Sequence, residues 1–420
     1  MEHVENQTEE RISYKDIFRQ KEYCKVIISN IISRFGDSID AIAFTWLVYA
    51  ITGSASWSAV VFAANQLPSV LVQPFAGALV EGLSKKKIMV LTDAIRGIVI
   101  AGLAVLYMAD LLNPWILMLF TLFISTAEAF RIPASMAAIP KLLEKKYYTH
   151  GTSLNSTISN VVQLAGLGAA GFIIGSFGIH TAILIDAVTF LGSAFILSFL
   201  RLEETNLRKG KLPAREYFET LKGGVIYLKN SSVICNFCMM AVIINALIIP
   251  ISSLQTPLIV EIMGQGSTLL SIFSIALTLG MGLGSFTYPI IRKYFQVRGI
   301  IVGSGVIVGI SLYLYTWGTA LQKNTAAAYG LTITVSIVIG LSLSLMMSVL
   351  SVEFMKAVEP EYLARVGSIF NAGATAAAPL ASLAVGSLAV VFSTAQIFIA
   401  SAVGCVLLFS YIAIRRVRFE

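Results

Sequence analysis

Apolar stretches about twenty residues long recur along the whole chain, and they constrain its fold more than any other feature. A helix of about 20 apolar residues crosses the hydrocarbon core of a bilayer. Only 13% of the 420 residues are charged, against about 25% in soluble domains. The sequence therefore predicts an all-α polytopic membrane protein with twelve transmembrane helices. The predicted spans are approximately 25–50, 57–80, 88–109, 114–138, 152–175, 180–200, 232–256, 268–291, 299–320, 327–352, 366–390 and 395–414.

Lysine and arginine residues are distributed unevenly between the two sides of these spans. Of the 30, 26 fall on one side, Lys323 falls on the other, and Arg34, Arg96 and Arg131 lie within spans or at a span's end. Such asymmetry predicts that the basic side, with both termini, faces the cytoplasm of a cell (inner) membrane. The first 22 residues lack the apolar core of a signal peptide, so the first helix is expected to direct insertion. The net charge of +7 then reflects topology, and no nucleic-acid partner is expected.

Two halves of similar plan are expected on either side of a polar linker. Gly77 and the pair Lys85–Lys86 after span 2 recur as Gly284 and Arg292–Lys293 after span 8. Two parallel six-helix repeats around a midplane cavity are a known transporter plan. The linker carries an apolar stripe typical of a helix lying at the membrane surface. The expected organisation is a cytoplasmic amino-terminal segment (1–22), a six-helix bundle (23–200), a cytoplasmic linker with an interfacial helix (201–231), a second six-helix bundle (232–414) and a cytoplasmic tail (415–420).

The stretch "GALVEGLSKKKIMV" (77–90) resembles the signature of the loop between spans 2 and 3 in the major facilitator superfamily. Further stretches resemble its drug–proton antiporter branch, which includes macrolide and enterobactin exporters. They are "SRFGDSI", "TDAIRG", "RIPASMAAIP", "LIDAVTFL" and "EPEYLARVGSIF". Two positions depart from that branch, since Leu167 stands where the span 5 signature has proline and Ser125 where span 4 often has arginine. The resemblance implies secondary active efflux of an amphipathic small molecule, drug-, macrolide- or siderophore-like, by alternating access with proton influx.

Other functions of a polytopic membrane protein are weighed against this one. A lysolipid flippase or a uniporter of the same fold is the main alternative, and a channel is a weaker one. We find no motif of a zinc protease, a serine hydrolase or a phosphate-binding loop, so an enzyme is not expected. The pair Cys235 and Cys238 has metal-site spacing without a second pair, which favours a structural role. We expect no cofactor, no metal and a monomer in the lipid bilayer.

A cytoplasmic gate is expected at the signature loop. Glu81 can meet Arg96, or the positive end of the span 3 helix dipole, when the cytoplasmic mouth closes. Asp93 can pair with Arg96 or Lys85, and a close approach of spans at Gly77 would leave no room for a side chain. Ordinary positive-inside anchoring suffices to explain the lysines, but it does not explain Glu81 and Asp93. The predicted gate residues are Gly77, Glu81, Lys85, Lys86, Asp93 and Arg96.

Charged residues inside the first and fourth spans predict a proton-coupling site in the central cavity. A charge at mid-bilayer costs about 3 kcal/mol, so compensation is needed. Counting 1.5 Å per helical residue puts Asp37 and Glu128 at one level, roughly 18 Å from the basic side. The alternative is a set of salt bridges that holds the first half together. The residues of the predicted site are Arg34, Asp37, Asp40, Glu128 and Arg131, with Asp37 or Glu128 as the preferred proton carrier and Asp40 third.

The second half contrasts with the first because spans 7–12 have no charge in their middles. One charged wall and one soft apolar wall suit an amphipathic substrate, either neutral or cationic. The pairs Gly171/Gly175, Gly280/Gly284 and Gly305/Gly309 favour close helix packing. Pro250 and Pro257 are among the prolines expected to allow bends. For Asp186, which opens span 6, we expect a packing or capping role.

Overall fold

The computed structural model describes residues 17, 19–144, 147–202, 232–357 and 363–415, and it is helical throughout that part of the chain. The predicted interfacial helix and Lys209 lie outside the described residues. The amino-terminal helices are α1 (Lys21–Thr52), α2 (Ala55–Leu71), α3 (Gln73–Gly82), α4 (Lys85–Met108), α5 (Pro114–Leu142), α6 (Tyr148–Phe177) and α7 (Ile179–Ser198). The carboxyl-terminal helices are α8 (Ser232–Ser253), α9 (Gln255–Pro257), α10 (Ser267–Tyr294), α11 (Val297–Tyr315), α12 (Gly318–Leu321), α13 (Thr325–Ala357), α14 (Leu363–Leu388) and α15 (Thr394–Arg415). A π-helical turn, Leu258–Ile262, continues α9.

Helices overlap all twelve predicted spans, but fewer meet a stricter test. Among the described residues, eight helices are long and apolar enough to cross a membrane, or nine if one bent pair counts as a single span. Helix α1 is long enough but is not among the eight, because Asp37 and Asp40 lower its hydropathy. The protein is thus a multi-pass membrane protein, while twelve spans in two halves remain a prediction.

Local sequence signals explain where several helices begin and end. Helix α1 ends at Gly53, whose φ of 57° is the left-handed conformation that glycine adopts without strain. Ser54, Ser84 and Asn113 then cap α2, α4 and α5 by accepting a hydrogen bond from a backbone N–H three residues on. Short connections therefore return each helix antiparallel to the one before it.

Close packing in the carboxyl-terminal helices depends on glycine. A methyl group added to Gly280 on α10 would fall against the carbonyl oxygen of Ile337 on α13, and one added to Gly340 would fall against that of Leu277. Gly305 on α11 lies in the same way against the ring of Phe409 on α15. The predicted packing role of Gly280 and Gly305 is confirmed.

The chain breaks between α8 and α9. The helical segments on the two sides of Leu254 meet at a bend of 52°. Pro250 and Pro257 flank the break, and each removes a backbone donor from the helical ladder. The amide of Gln255 donates to the Ser252 carbonyl and so satisfies one acceptor that the break frees. The predicted bend at these prolines is confirmed.

The amino- and carboxyl-terminal helices meet through α2 with α14 and α6 with α10. Among the described residues, the hydrogen bonds between the two sets lie at the end remote from the lysine-rich loops, which we call the closed end. There Tyr49 donates to Glu261 at 2.8 Å, and Ser56 donates to the Gly386 carbonyl at 2.8 Å. At the other, basic end, a methyl group added to Gly77 would meet no atom within 4 Å.

Candidate functional site: a charge cluster beside a cavity

Arg96 on α4 is the centre of a buried charge cluster. Its side chain is only 3% exposed and donates from Nη2 to Asp37 Oδ1 on α1 at 2.7 Å. The same nitrogen lies 3.9 Å from Glu128 Oε2 on α5. The guanidinium carbon also lies 3.9 Å from the centroid of the Phe190 ring on α7. Three helices and an aromatic face therefore hold one arginine inside the amino-terminal bundle, where cation–π and ionic attraction both offset its lost hydration.

Helix packing brings these groups together. Gly97 follows Arg96, and a methyl group added to it would lie 2.7 Å from Leu191 Cγ and 3.1 Å from the Ala187 carbonyl on α7. Because Gly97 has no side chain, α4 approaches α7 closely enough for Arg96 to reach Phe190. Arg96 is also 11 residues from the start of α4, which places it roughly 16 Å along the helix.

A second ion pair lies one turn nearer the basic end. Arg131 Nε on α5 donates to Asp93 Oδ1 on α4 at 2.5 Å, and Asp93 is completely buried. Ser193 on α7 donates to the other oxygen of Asp93 at 2.5 Å. Arg131 also donates to Asn30 on α1 at 3.3 Å. Asp93 and Arg131 together therefore join α1, α4, α5 and α7 through charge-assisted hydrogen bonds, which are stronger than neutral ones.

Two further carboxyl groups adjoin Arg96 without pairing with it. Asp40 on α1 is half-buried and interacts electrostatically with Arg96, Asp37 and Glu128. Asp186 on α7 is fully buried, and neither of its carboxyl oxygens has a hydrogen-bond partner within the described part of the chain. We call the group made by Arg96, Arg131, Asp37, Asp40, Asp93, Glu128 and Asp186 the acid–arginine cluster. It contains five acids and two arginines.

The structure assembles the predicted coupling residues differently from the expectation. Asp37, Asp40 and Glu128 are brought together, but around Arg96, which we had assigned to the gate. Arg34 lies exposed on α1, and it forms no ion pair with any described residue.

The predicted gate pairs are also arranged differently. In this conformation Asp93 pairs with Arg131, which was not among its expected partners, Arg96 and Lys85. Lys85 is buried and Lys86 half-buried at the start of α4, while the side chain of Glu81 lies outside the described part. Among the described residues, none lies within 4 Å of a methyl group added to Gly77, so no close approach is seen there in this conformation. Asp186 lies seven residues into α7, too far from its start to cap the helix, so of the two roles expected for it only packing fits its position.

A cavity of about 160 Å³ adjoins the cluster at the junction of the two sets of helices. Asp40 and Phe44 of α1 and Phe62 and Asn65 of α2 line one side. The broken segment supplies Thr256 on the other side, whose buried hydroxyl has no hydrogen-bond partner among the described residues. One carboxyl, several neutral polar groups and two phenyl rings thus surround the space. Broken helices beside such cavities are typical of transporter binding sites.

Solved transporter structures share this fold. The chain superposes on the crystal structure of the nucleoside transporter NupG with a TM-score of 0.74, at 14% identity, over 94% of this chain and 100% of that one. A bacterial homologue of the iron transporter ferroportin, solved in an inward-facing state, gives a TM-score of 0.72 at 12% identity, over 93% and 98% of the two chains. At these identities the likeness shows the fold alone.

The curated relatives are also named as transporters. An uncharacterized MFS-type transporter of Bacillus subtilis (strain 168), YkuC, is 24% identical over 330 residues, which are 75% of each chain. The multidrug efflux pump Tap of Mycolicibacterium fortuitum is 23% identical over 66% of this chain and 69% of its own. The putative bacilysin exporter BacE of Bacillus amyloliquefaciens is 28% identical over 61% and 63%.

Fold, cavity and relatives together define a membrane transporter of the major facilitator superfamily, as the loop signature suggested. The sequence profile described as transmembrane secretion effector matches residues 14–420. The chain belongs to that family.

Sequence reasoning missed three parts of the site. It did not place Arg96 at the centre of the cluster, although an arginine three residues after Asp93 inside an apolar span was a signal. It gave Asp186 a structural role, although an acid within the apolar stretch "LIDAVTFL" was a similar signal. It did not single out Thr256, because a threonine in an apolar segment carries no distinctive pattern.

Proposed function

We propose that this transporter exports an amphipathic small molecule by alternating access, and that proton influx drives the export. Both termini face the cytoplasm of the cell membrane, as the distribution of basic residues predicts. The described conformation is then closed on the side away from the cytoplasm, because the hydrogen bonds between the two sets of helices, among the described residues, lie at the closed end. The names of the relatives Tap and BacE, an efflux pump and a putative exporter, support the direction of transport.

The cavity supports an amphipathic substrate. Phe44 and Phe62 offer apolar surface, and Asp40 offers one negative charge beside neutral hydrogen-bonding groups. A cationic substrate would place its charge at Asp40 and its apolar part against the rings. Neutral substrates would use the amide of Asn65 and the hydroxyl of Thr256 instead. A space of about 160 Å³ holds part of a drug-sized molecule, so the remainder would extend beyond this cavity.

The acid–arginine cluster supports proton coupling. Five acids against two arginines leave an excess of carboxyl groups in a poorly hydrated region, where unpaired charge is costly. In general, a nearby positive charge favours the ionised form of a carboxyl group, so the approach of a cation and the loss of a proton are linked. The side chains of Asp37 and Glu128 are 23% and 39% exposed, and Asp40 lines the cavity, so all three acids are accessible. Proton binding here and substrate binding at Asp40 would then be linked through shared charge.

The proximity of Asp40 to both the Arg96 ion pairs and the cavity carries this proposal. The experiment is transport in proteoliposomes with an imposed pH gradient and a panel of labelled drugs, siderophores and lysolipids. The wild-type protein should concentrate at least one amphipathic substrate against its gradient. Asp37→Asn, Glu128→Gln and Asp40→Asn should each be compared, and at least one should abolish uphill transport while sparing downhill exchange. Each rate is normalised to folded protein.

Two results would contradict the proposal. If all three variants still concentrate substrate against its gradient, the acids are structural and coupling lies elsewhere. If wild-type flux ignores the pH gradient and only lysolipids move, the protein is a flippase or uniporter. Arg34→Gln is the matched control, because this residue is on the same helix but outside the cluster, and its removal should leave coupling intact.

A further inference from the structure

Asp186 is the buried acid that the ion pairs described above do not explain. It is 0% exposed, and neither carboxyl oxygen accepts a hydrogen bond from any described residue. The Thr189 hydroxyl donates to the backbone carbonyl of Asp186 at 2.7 Å, and it also interacts with the carboxyl group, though without the geometry of a second hydrogen bond. Gly36 of α1 closes the site from the other side, since a methyl group added there would lie 2.6 Å from Asp186 Oδ1. An ionised carboxylate in this position would be desolvated without compensation.

Arg96 also has a buried polar atom whose hydrogen bond is not satisfied. Its Nε is also a buried donor without an acceptor among the described residues, although its Nη2 is bound to Asp37. Arg96 and Asp186 interact electrostatically across the contact between α4 and α7. An unused donor and two unused acceptors on neighbouring helices are complementary, so a modest side-chain movement would satisfy both.

The other charged groups near Asp186 favour its neutral form. Asp37 and Asp40 approach from α1, and both repel a negative charge on Asp186. Arg96 from α4 attracts such a charge but is already engaged with Asp37. Helix α6, which also packs on α7, has no titratable residue between Gly151 and Phe177. Burial, missing donors and two facing acids thus all favour a protonated carboxyl group.

We propose that Asp186 carries the transported proton in this conformation and that it shares Arg96 with Asp37. The proton moves from the Asp186 carboxyl to Asp37, after which Arg96 pairs with the new carboxylate of Asp186. Neutral Asp37, whose side chain is partly exposed, then releases the proton to the cytoplasm. One O–H bond breaks as one forms, and Arg96 keeps one ionised partner throughout, so the net charge of the three groups is constant until release.

This inference rests on the proton coupling proposed above, and the experiment separates the two. Infrared spectra of the purified protein, in H₂O and D₂O, report the carbonyl band of a protonated carboxyl group. The wild-type protein should show such a band at neutral pH. Asp186→Asn, which resembles the neutral acid in shape, should remove it and remain folded. Thr189→Val is the matched control and should keep the band, because removing a hydroxyl that donates to the backbone and adjoins the carboxyl group takes away no support of the neutral form.

The transport arm uses the same variants. Asp186→Asn should lose uphill transport driven by a pH gradient, by at least tenfold, and keep gradient-free exchange of substrate. Should this variant not fold, Asp186→Ser replaces it in both measurements. A wild-type spectrum without a protonated carboxyl band, or a band that only Asp40→Asn removes, would overturn the assignment. Unchanged pH-driven transport in a folded Asp186 variant would overturn it while proton coupling survives. Wild-type transport that ignores pH would instead refute the coupling itself, and with it the transported proton.

Discussion

The amino-terminal and carboxyl-terminal helices solve the problem of stability in a membrane in opposite ways. In α1–α7, Arg96 and Arg131 hold acids from other helices deep inside the bundle. In the described part of α8–α15, several polar contacts between helices are neutral, such as the part-buried pair Ser285 and Ser344 and the buried pair Tyr315 and Ser336, both within 2.7 Å. The ion pair found there, Arg292 with Glu353, lies at the basic end and is 31% exposed at the arginine.

This difference indicates where function is placed. Charges within a bilayer are costly and are retained where ions or substrates are handled. Helix packing through glycines and aromatic rings stabilises the second set without such a cost, as the contact between Tyr315 and Phe398 shows. We infer that the first set carries the coupling chemistry and that the second provides a packed surface against which it moves.

Of the changes that test this comparison, removing Arg96 should cause the largest loss of stability. Arg96→Ala leaves several acids without their positive partner, and breaking a buried ion pair typically costs about 3–5 kcal/mol. Arg292→Ala, the matched change in the carboxyl-terminal helices, should cost at most about 1 kcal/mol because that pair is partly exposed. Thermal unfolding in detergent, followed by loss of folded protein, measures both.

A second substitution checks that the loss is electrostatic. Asp37→Asn added to Arg96→Ala should recover part of the stability, because it removes one uncompensated acid. Equal losses for Arg96→Ala and Arg292→Ala would mean that the cluster does not stabilise the amino-terminal helices.

Replacing Gly280 and Gly77 by leucine should distinguish a role in helix packing from a role in the cytoplasmic gate. Gly280→Leu should destabilise the protein by about 1–3 kcal/mol, because its side chain would fall against the Ile337 carbonyl. Gly77→Leu should change stability by no more than about 0.5 kcal/mol, since it enters open space. It should nevertheless reduce turnover more than substrate binding if α3 closes on its neighbours during the cycle. Thermal unfolding and transport rates are compared for both variants. Normal turnover by Gly77→Leu would contradict a gate at this position.

The sequence predicted the elements and the depth of the charges better than it predicted their partners. Apolar length identified helices at all twelve expected positions, because hydropathy acts through local composition. Counting residues placed Asp37 and Glu128 at one level, and the structure brings both to a single arginine. The identity of that arginine depends on the rotation of α4 and its approach to α7 at Gly97, which residue spacing does not encode.

The cavity was less predictable still. Its lining joins Asp40 to residues near the break after Ser253, more than two hundred positions away. Two prolines predicted a bend, but which side chains the bend turns towards α1 is a property of the assembled bundle. Contacts between distant helices are fixed by three-dimensional packing, so one sequence without helix orientations leaves them open.

The smallest effect that we predict is a difference in the free energy of unfolding between two variants, each of which loses one serine hydrogen bond. Ser193 donates to the buried carboxylate of Asp93 at 2.5 Å, and Ser29 contacts the Ser193 hydroxyl at 2.6 Å. Ser285 and Ser344 form a neutral pair of the same length, 2.6 Å, between α10 and α13. Hydrogen bonds to charged groups contribute about 1.5–3 kcal/mol, whereas those between transmembrane helices average about 0.6 kcal/mol.

Ser193→Ala should therefore lower the free energy of unfolding by about 1.5–3 kcal/mol, and Ser344→Ala by about 0.6 kcal/mol. Both changes remove one hydroxyl from a buried position, so the loss of volume is the same and the charge of the acceptor is the main difference. Ser198→Ala, at an exposed site on α7, supplies the baseline. Denaturant unfolding in mixed micelles would measure the three values. Equal losses at Ser193 and Ser344 would show that Asp93 is satisfied by Arg131 alone, and the contrast between the two sets of helices would then depend on ion pairs without their surrounding hydrogen bonds.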